Sequence, residues 1–454
     1  MRCIRRLRGA ITVSLVLAFS VLTLTSPVGA RLAAAGSSVA IPGVIATIPL
    51  KVNPTDPIYD SANAEVYFVN GDGNVSVLHG TTLLPNISLA NPVTSLEFDP
   101  VNGFVYAMGL VPHSVDRGVV EVVSDGRQIA NVSTDLGPTG LFDPFNGYVY
   151  VASYNLTNPY GQYGLVTVLN GTSVLGSFTV GTESALLTYD GRTGYVYVAS
   201  GGENVTVLNG LTIVDTFSLN MTPSAAIYDG DDGYVYIAGS GPEITLVHGS
   251  TVVGTVVLPD VPDSCPPAFP SLSDCSFSPV DPRTGDLYVL MGNNVSVIRG
   301  TSLLSILPVA CCTVKSVYDS DVDAVQIVTS PCFPLSQCNE ADAVQLFNDT
   351  ENLASLSLGV AAYPTGAAYD TASGDTVVIT WTGCLVPLCG EISNETEKPG
   401  FLIVLGPPSA ASASSGVPDW AYLIIGGTTG GFAVLAAAVI NRGRDAGEPL
   451  RRSG

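Results

Sequence analysis

An aromatic residue followed by aspartate recurs through the chain. It occurs at Tyr59-Asp60, Phe98-Asp99, Phe142-Asp143, Tyr189-Asp190, Tyr228-Asp229, Tyr318-Asp319 and Tyr369-Asp370, with Val280-Asp281 as the one copy that lacks the ring. Successive aspartates are 39, 44, 47, 39, 52, 38 and 51 residues apart, a mean of about 44. Self-similarity at such a period means repeated supersecondary units, none of which can bury its apolar face without a neighbour, and about 40–45 residues is the length of one four-stranded propeller blade. The fourth copy shows the anatomy. Ser184 to Asp190 reads as an apolar inner strand, and Asp190-Gly-Arg-Thr-Gly194 as a tight turn. A second strand of Tyr and Val follows at 195–200, then Asn204-Val-Thr-Val-Leu-Asn-Gly210 into a hairpin turn, and an outermost strand at 212–219. In the turn, aspartate bonds back to the backbone and glycine takes the positive φ. The sequence therefore predicts an all-β fold, a β-propeller of four-stranded blades, eight by this count and seven as the alternative.

The end of the repeat region predicts how the ring closes. The last copy supplies an inner strand ending at Asp370, a second at 376–381 and a third at 401–406, and it lacks an outer strand. The spare segment 44–50, Val-Ile-Ala-Thr-Ile-Pro-Leu, has the outer-strand pattern and would complete that blade, removing an exposed edge. The long inserts 110–118, 154–163, 330–343 and 382–400 join second to third strands, and 259–277 joins a fourth strand to a first. In a meander blade these connections share one face, and long loops on a rigid scaffold are where binding resides. Tyr160, Tyr163, Phe269 and Phe333, aromatic side chains in otherwise polar or Pro-rich loops, are the candidate contacts.

Cysteine usage follows the same face. Apart from Cys3, eight cysteines remain, at Cys265, Cys275, Cys311, Cys312, Cys332, Cys338, Cys384 and Cys389. An even number suits disulfides in an oxidising compartment. Close spacing suggests local pairs 265 with 275, 332 with 338 and 384 with 389, leaving 311 and 312 to pair with each other or with other loops; eight cysteines allow about 105 connectivities. Ten N-x-S/T sequons, at Asn74, Asn86, Asn131, Asn155, Asn170, Asn204, Asn220, Asn294, Asn348 and Asn394, are candidate glycosylation sites. The competing explanation is that Asn, Ser and Thr are the turn and strand-edge residues of such a fold.

The two ends read as addresses. Residues 1–30 carry Arg2, Arg5, Arg6 and Arg8, an apolar run and a small-residue site at Val28-Gly29-Ala30, the pattern of a secretory signal peptide, with twin-Arg export as the variant. Residues 31–43 form an N-terminal segment before the propeller ectodomain at 44–406, and a Ser/Ala/Pro-rich linker follows at 407–420. Ala421 to Ile440 has no charged residue and is long enough for a transmembrane helix, the alternative being a buried core helix. Arg442, Arg444, Arg451 and Arg452 lie beyond it, so the tail 441–454 is expected in the cytoplasm and the propeller outside the cell membrane, as a single-pass protein. Within the span, Gly426-x-x-x-Gly430 and Gly427-x-x-x-Gly431 would let two helices approach closely as a homodimer.

Charge and side-chain inventory restrict function. Seventeen Lys and Arg against 39 Asp and Glu give a net charge of −22, which leaves nothing to neutralise a phosphate backbone, so nucleic acid is not an expected partner. The three histidines, His79, His113 and His248, are too few for a His-rich metal site, and no cofactor is expected. His79 and His248 fall in a hairpin slot filled by Asn170, Asn209 and Arg299 elsewhere, which asks for a polar turn residue. Asp229-Gly-Asp-Asp-Gly233 is the one turn with clustered carboxylates, but it lacks the distal Glu of an EF-hand loop.

Gly-Tyr-Val-Tyr-Val-Ala-Ser at 194–200, with variants at 103–108, 147–153 and 233–238, followed by a Val-rich strand and an N-G or H-G turn, resembles the YVTN-type β-propeller repeats. The resemblance covers roughly residues 44–406 and departs from the pattern at Asp323-Ala-Val-Gln-Ile and Asp375-Thr-Val-Val-Ile. It implies a surface-layer or cell-surface protein, typically archaeal, in a family whose ring is often seven-bladed. Similar propellers also serve as lactonases and lyases, so function rests on the site. Two function classes remain. One is a membrane-anchored surface propeller that binds a glycan, protein or envelope component through the loop face; the other is an extracytoplasmic hydrolase or lyase with a carboxylate or metal site in the central channel. With no nucleophile–base pair visible, the non-catalytic reading is the stronger.

Overall fold

The computed structural model describes residues 42–51, 53–114, 116–155, 163–181, 185–200, 202–239, 242–258, 276–291, 294–309, 312–330, 343–358, 363–381 and 400–406. These residues form antiparallel sheets, six with four strands and one with seven. The fourth repeat is the simplest case. Ala185–Asp190, Tyr195–Ala199, Asn204–Asn209 and Thr212–Ser218 pair in chain order as a meander, within a residue or two of the boundaries expected from sequence. In the seven-stranded sheet one 17-residue strand, Arg127–Asp143, is first the outer strand against Arg117–Ser124 and then the inner strand against Tyr148–Asn155. Repeat logic calls for a break there. Instead Gly137, at φ +63°, lets the strand bend and run on.

The inner strands pack in succession, and Tyr363–Asp370 lies between Cys312–Asp319 and Pro54–Asp60, so the series returns on itself. Gly43–Pro49 pairs antiparallel with Gly400–Gly406, the register running from Gly43 opposite Gly406 to Pro49 opposite Phe401. The N-terminal strand thus completes the last sheet as the fourth strand. The core lies between neighbouring sheets rather than within one. Val66, Phe68 and Leu78 of the first sheet, for example, meet Ile379, Leu402 and Val404 of the last. Second and third strands are buried on both faces and so read as continuous Val/Ile/Leu/Tyr runs, whereas outer strands such as Thr212–Ser218 are exposed along most of their length.

The repeat motif is a set of ties. In every copy the aspartate is buried, and its Oδ1 accepts the backbone N–H two residues on, at 2.8 to 2.9 Å. The residue four past the aspartate has positive φ in all eight, including the non-glycine Ala64 and Asp323. Glycine there has a second reason. Phe145, two residues into its own turn, lies against Gly194 of the next turn, where a Cβ would sit 2.4 Å from a ring carbon. Arg192 lies in the same way against Gly233, and Asp321 against Gly374. Where the slot holds Asp323, Arg283 of the preceding turn takes up an ion pair with it, Nε to Oδ2 at 2.6 Å.

Seven residues past the aspartate stands the second tyrosine of the Tyr-Val-Tyr run, and in four copies it reaches across to the following repeat. The hydroxyls of Tyr106, Tyr150, Tyr197 and Tyr288 donate to the carbonyls of Gly171, Gly210, Gly249 and Asp349, each in the hairpin between third and fourth strands, at 2.8 to 3.2 Å. In the divergent seventh copy Gln326 occupies that slot and donates instead to its own turn aspartate, Asp319, at 2.5 Å. In the copy with Val280 the described inner strand ends early, at Phe277, where Pro279 and Pro282 flank the turn and remove backbone donors.

Candidate functional site

The expected binding face falls largely beyond the structure. Tyr160, Phe269, Phe333, seven of the eight cysteines and Asn394 lie outside the described residues, as do the segments 1–41 and 407–454. Among the described residues no helix is long and apolar enough to cross a membrane. Tyr163 opens the strand Tyr163–Asn170 opposite Asn155 and is half-buried, and Cys312 opens Cys312–Asp319 opposite Ser330. The nine described sequon asparagines are all exposed or half-buried. Two of them have their amide nitrogens engaged: Asn155 donates to Asp135 at 3.1 Å, and Asn348 to the Asp323 carbonyl at 2.7 Å.

What the structure does assemble is a cavity of about 450 Å³ where neighbouring inner strands run into their first turns. Five of the seven aromatic residues of the repeat step converge there. Tyr59, Phe98, Phe142, Tyr189 and Tyr369 form a collar backed by Pro57, Ile58, Leu141, Ala367 and Ala368. The tyrosines are held from the rim. Tyr59 hydrogen-bonds the preceding repeat's turn at Asp370 and accepts the Ala372 N–H at 3.3 Å, and the Tyr369 hydroxyl lies 3.2 Å from Ser320 Oγ. These two rings are thus fixed by the turn of the neighbouring sheet, which preorganises their side of the collar.

Among the described residues Glu97 is the one charged residue in the cavity wall. Its Oε1 accepts the Phe142 N–H at 2.9 Å from the adjoining inner strand. Loss of hydration pushes its carboxyl up to about 8; the Phe142 bond opposes this and the neighbouring Asp56 carboxyl adds to it. Asp56, at φ +49° in the irregular stretch of Pro54–Asp60, is also raised by burial, against the Leu96 N–H it accepts and the more distant Lys315. Sequence reasoning passed over both. The available signal was positional: where Glu97 stands, two before the aspartate, the other copies have Ile58, Leu141, Thr188, Ile227, Pro279, Val317 and Ala368.

A raised carboxyl means that the folded chain keeps a proton the unfolded chain has given up. The stability from Glu97 is full below its ordinary value of 4.5 and is lost as pH climbs toward about 8. Glu97→Gln keeps an acceptor for Phe142 and removes the titration. Between about pH 5.5 and 8.5 the unsubstituted full-length protein should lose roughly 1–2 kcal/mol more than the variant, a figure reduced from the full shift because the group faces a solvated cavity. Parallel pH profiles in chemical denaturation would show that burial does not hold the proton.

Elsewhere, buried charge serves the scaffold. Glu121, fully buried, accepts the Ala90 N–H and the backbone and side-chain N–H groups of Asn91 at 2.6 to 3.0 Å, fixing the connection into the next inner strand. The acidic turn 229–233 directs its carboxylates apart. Asp229 accepts the Asp231 N–H, Asp232 accepts the Tyr234 N–H and the Tyr236 hydroxyl, and Asp231 lies beside Gly285. Burial, with the charges of Asp232 and Asp231, raises Asp229 to about 6. His79 and His248 are exposed at the ends of third strands, each followed by a glycine of positive φ, in the turn slot their sister repeats fill with Asn or Arg. Among the described residues no three His, Cys, Asp or Glu side chains are grouped to hold a metal ion.

The fold can now be set beside known proteins. No family model matches the chain, and comparison with curated proteins returned no match. Among solved structures it is similar to the C-terminal WD40 domain of Sif2, with a TM-score of 0.55 at 11% identity over 81% of this chain and 99% of that one. Weaker likenesses are to the WD40 β-propeller domain of Doa1 (TM-score 0.45, 13% identity, 64% of this chain and 94% of that one) and to Chaetomium thermophilum Raptor (0.46, 11%, 80% and 29%). The likeness to the Sif2 domain, with the meander sheets and the returning series of inner strands, defines the class: the described chain is an all-β protein with a β-propeller fold.

Proposed function

We propose that the protein is a membrane-anchored, cell-surface β-propeller of YVTN-like repeats that binds a glycan or protein of the cell envelope without catalysis. The ring is read as eight-bladed, with the seven-stranded sheet counted as two blades that share Arg127–Asp143. One observation carries the functional reading: the connections are unequal on the two faces. Between first and second strands each turn takes only a few residues, such as 191–194, and hairpins between third and fourth strands are as short. The connections 156–162, 331–342 and 382–399 leave second strands, and 259–275 leaves a fourth, so all of them emerge on the opposite face. Chain material is added only where it would be displayed on a rigid support. Gly406 ends a third strand, so the chain leaves the ring on the short-turn face. The linker, transmembrane segment and cytoplasmic tail expected from sequence would then hold that face toward the membrane and present the cysteine-rich loops outward, leaving their aromatic side chains, Phe269 and Phe333 among them, free for contact.

The test is a loop exchange in the full-length protein. Replacing 383–398, which removes Cys384 and Cys389 together, by a short Gly/Ser connection should lower binding to isolated cell envelopes by about tenfold or more, as expected for removal of an interface centre. The melting transition should not move, since the flanking strands stay paired. Unchanged envelope binding would defeat the loop-face reading, as would an equal loss on inserting the same Gly/Ser sequence into the short turn at Thr193.

A further inference from the structure

We propose that the cavity at the short-turn mouth of the channel is a binding site for a small alkylammonium ion, with Glu97 as its counter-ion and the aromatic collar as its wall. The site differs in place and chemistry from the loop face. Four observations point to this ligand. The wall includes five aromatic side chains, Tyr59, Phe98, Phe142, Tyr189 and Tyr369, and the electron-rich face of an aromatic ring attracts a cation that carries its own apolar skin. Glu97 is the only charged group in the wall, makes no ion pair among the described residues, and has another carboxyl, Asp56, as its charged neighbour. Once ionised, a lone carboxyl among aromatic and aliphatic side chains lacks a counter-charge, which a bound cation would supply. Lastly, calcium or magnesium would require a shell of oxygens that an aromatic and aliphatic wall does not offer. Tyr59, Tyr189 and Tyr369 are hydrogen-bonded or packed at the rim, so the cage stands formed before the ligand enters.

Binding couples to a proton. Burial keeps the Glu97 carboxyl largely protonated at neutral pH, and entry of the cation sends that proton to water, leaving a carboxylate–ammonium pair. The groups facing Glu97 are Asp56 on the preceding inner strand, the Phe142 N–H on the following one and Tyr189 on the one after; Lys315 acts on Asp56. With a carboxyl that titrates near 8, affinity should rise about tenfold from about pH 7 to about pH 9 and level off above that.

Calorimetric titration of the full-length protein with choline chloride, against sodium chloride as the salt control, tests the proposal. The expected result is saturable binding at pH 9, proton release at pH 7, and binding of the neutral isostere 3,3-dimethylbutan-1-ol that is about tenfold weaker or worse. Glu97→Gln should abolish proton release and the pH dependence, and Phe98→Leu should weaken binding about threefold or more while leaving the proton count intact. A peptide bearing trimethyl-lysine separates the sources: tighter binding than choline means a partner's side chain, equal binding a free small molecule. Absence of saturable binding at pH 9, or equal binding of the neutral isostere, would overturn the assignment. If Glu97→Gln fails to fold, the proton count of the unsubstituted protein and the Phe98→Leu affinity decide it.

Discussion

Deleting Gly43–Pro49 from the full-length protein should cost roughly 3–6 kcal/mol of stability or drive the protein into aggregates, the largest effect expected of any change considered. The segment lies far from its partner in sequence, yet it pairs along the whole of Gly400–Gly406 and turns Ala46 and Ile48 onto the cluster that holds Phe68, Ile379, Leu402 and Val404. Leu50 continues the contact, with its N–H bonded to the Gly400 carbonyl at 2.8 Å. Without the strand, Phe-Leu-Ile-Val-Leu at 401–405 becomes an unprotected edge, an apolar β-prone run of the kind that recruits other chains. Chemical denaturation and light scattering of the truncated protein would measure both outcomes. Unchanged midpoint and monodispersity would mean that the N-terminal strand is ornamental and that closure depends on something else.

Asp190→Ala should destabilise by about 3 kcal/mol, because one buried side chain satisfies several donors at once. Its Oδ1 accepts the N–H groups of Arg192 and Thr193 at 2.8 and 3.3 Å, and its Oδ2 accepts the Thr193 hydroxyl at 2.7 Å. Tyr228 of the next inner strand also bonds to it, so the loss reaches a second sheet. Asp190→Asn retains an acceptor and should cost about half as much. Asp215→Ala, on an exposed outer strand, serves as the control and should stay within about 0.5 kcal/mol of the unsubstituted protein. An Asp190→Ala midpoint as close as that of the control would show the turn network to be incidental.

Comparing these two sites shows what the sequence made legible. The Asp190 turn could be read in advance because its chemistry is local: acceptor, donors and positive-φ residue lie within five consecutive positions, and the pattern recurs. The closing strand was legible by subtraction, one blade being a strand short and one strand being spare. The tyrosine ties were visible only as a repeated letter, since the bond from Tyr197 to Gly249 spans two sheets and no single repeat contains both ends. The collar was hidden for the same reason: Tyr59, Phe98 and Tyr369 become neighbours only when the ring returns on itself. Glu97 was harder still, the lone charge in a slot that the other copies fill with uncharged, mostly apolar residues. The aromatic contacts proposed for the loop face, Tyr160, Phe269 and Phe333, lie outside the described residues and stand on the sequence argument alone.

The placement of Gly400–Gly406 has a mechanical consequence. This strand is third in its sheet, flanked by Asp375–Trp381 on one side and Gly43–Pro49 on the other, and the chain leaves it at the end where Gly43 begins. A pull on the chain beyond Gly406 therefore runs along the strand axis and loads two hydrogen-bond ladders together in shear, rather than peeling one edge bond by bond. A tether attached there would resist drag on whatever the opposite face holds, and rupture would require both ladders to slip at once. In that sense the N-terminal strand works as a second grip on Gly400–Gly406, so that the pairing which completes the last sheet also reinforces the strand from which the chain departs.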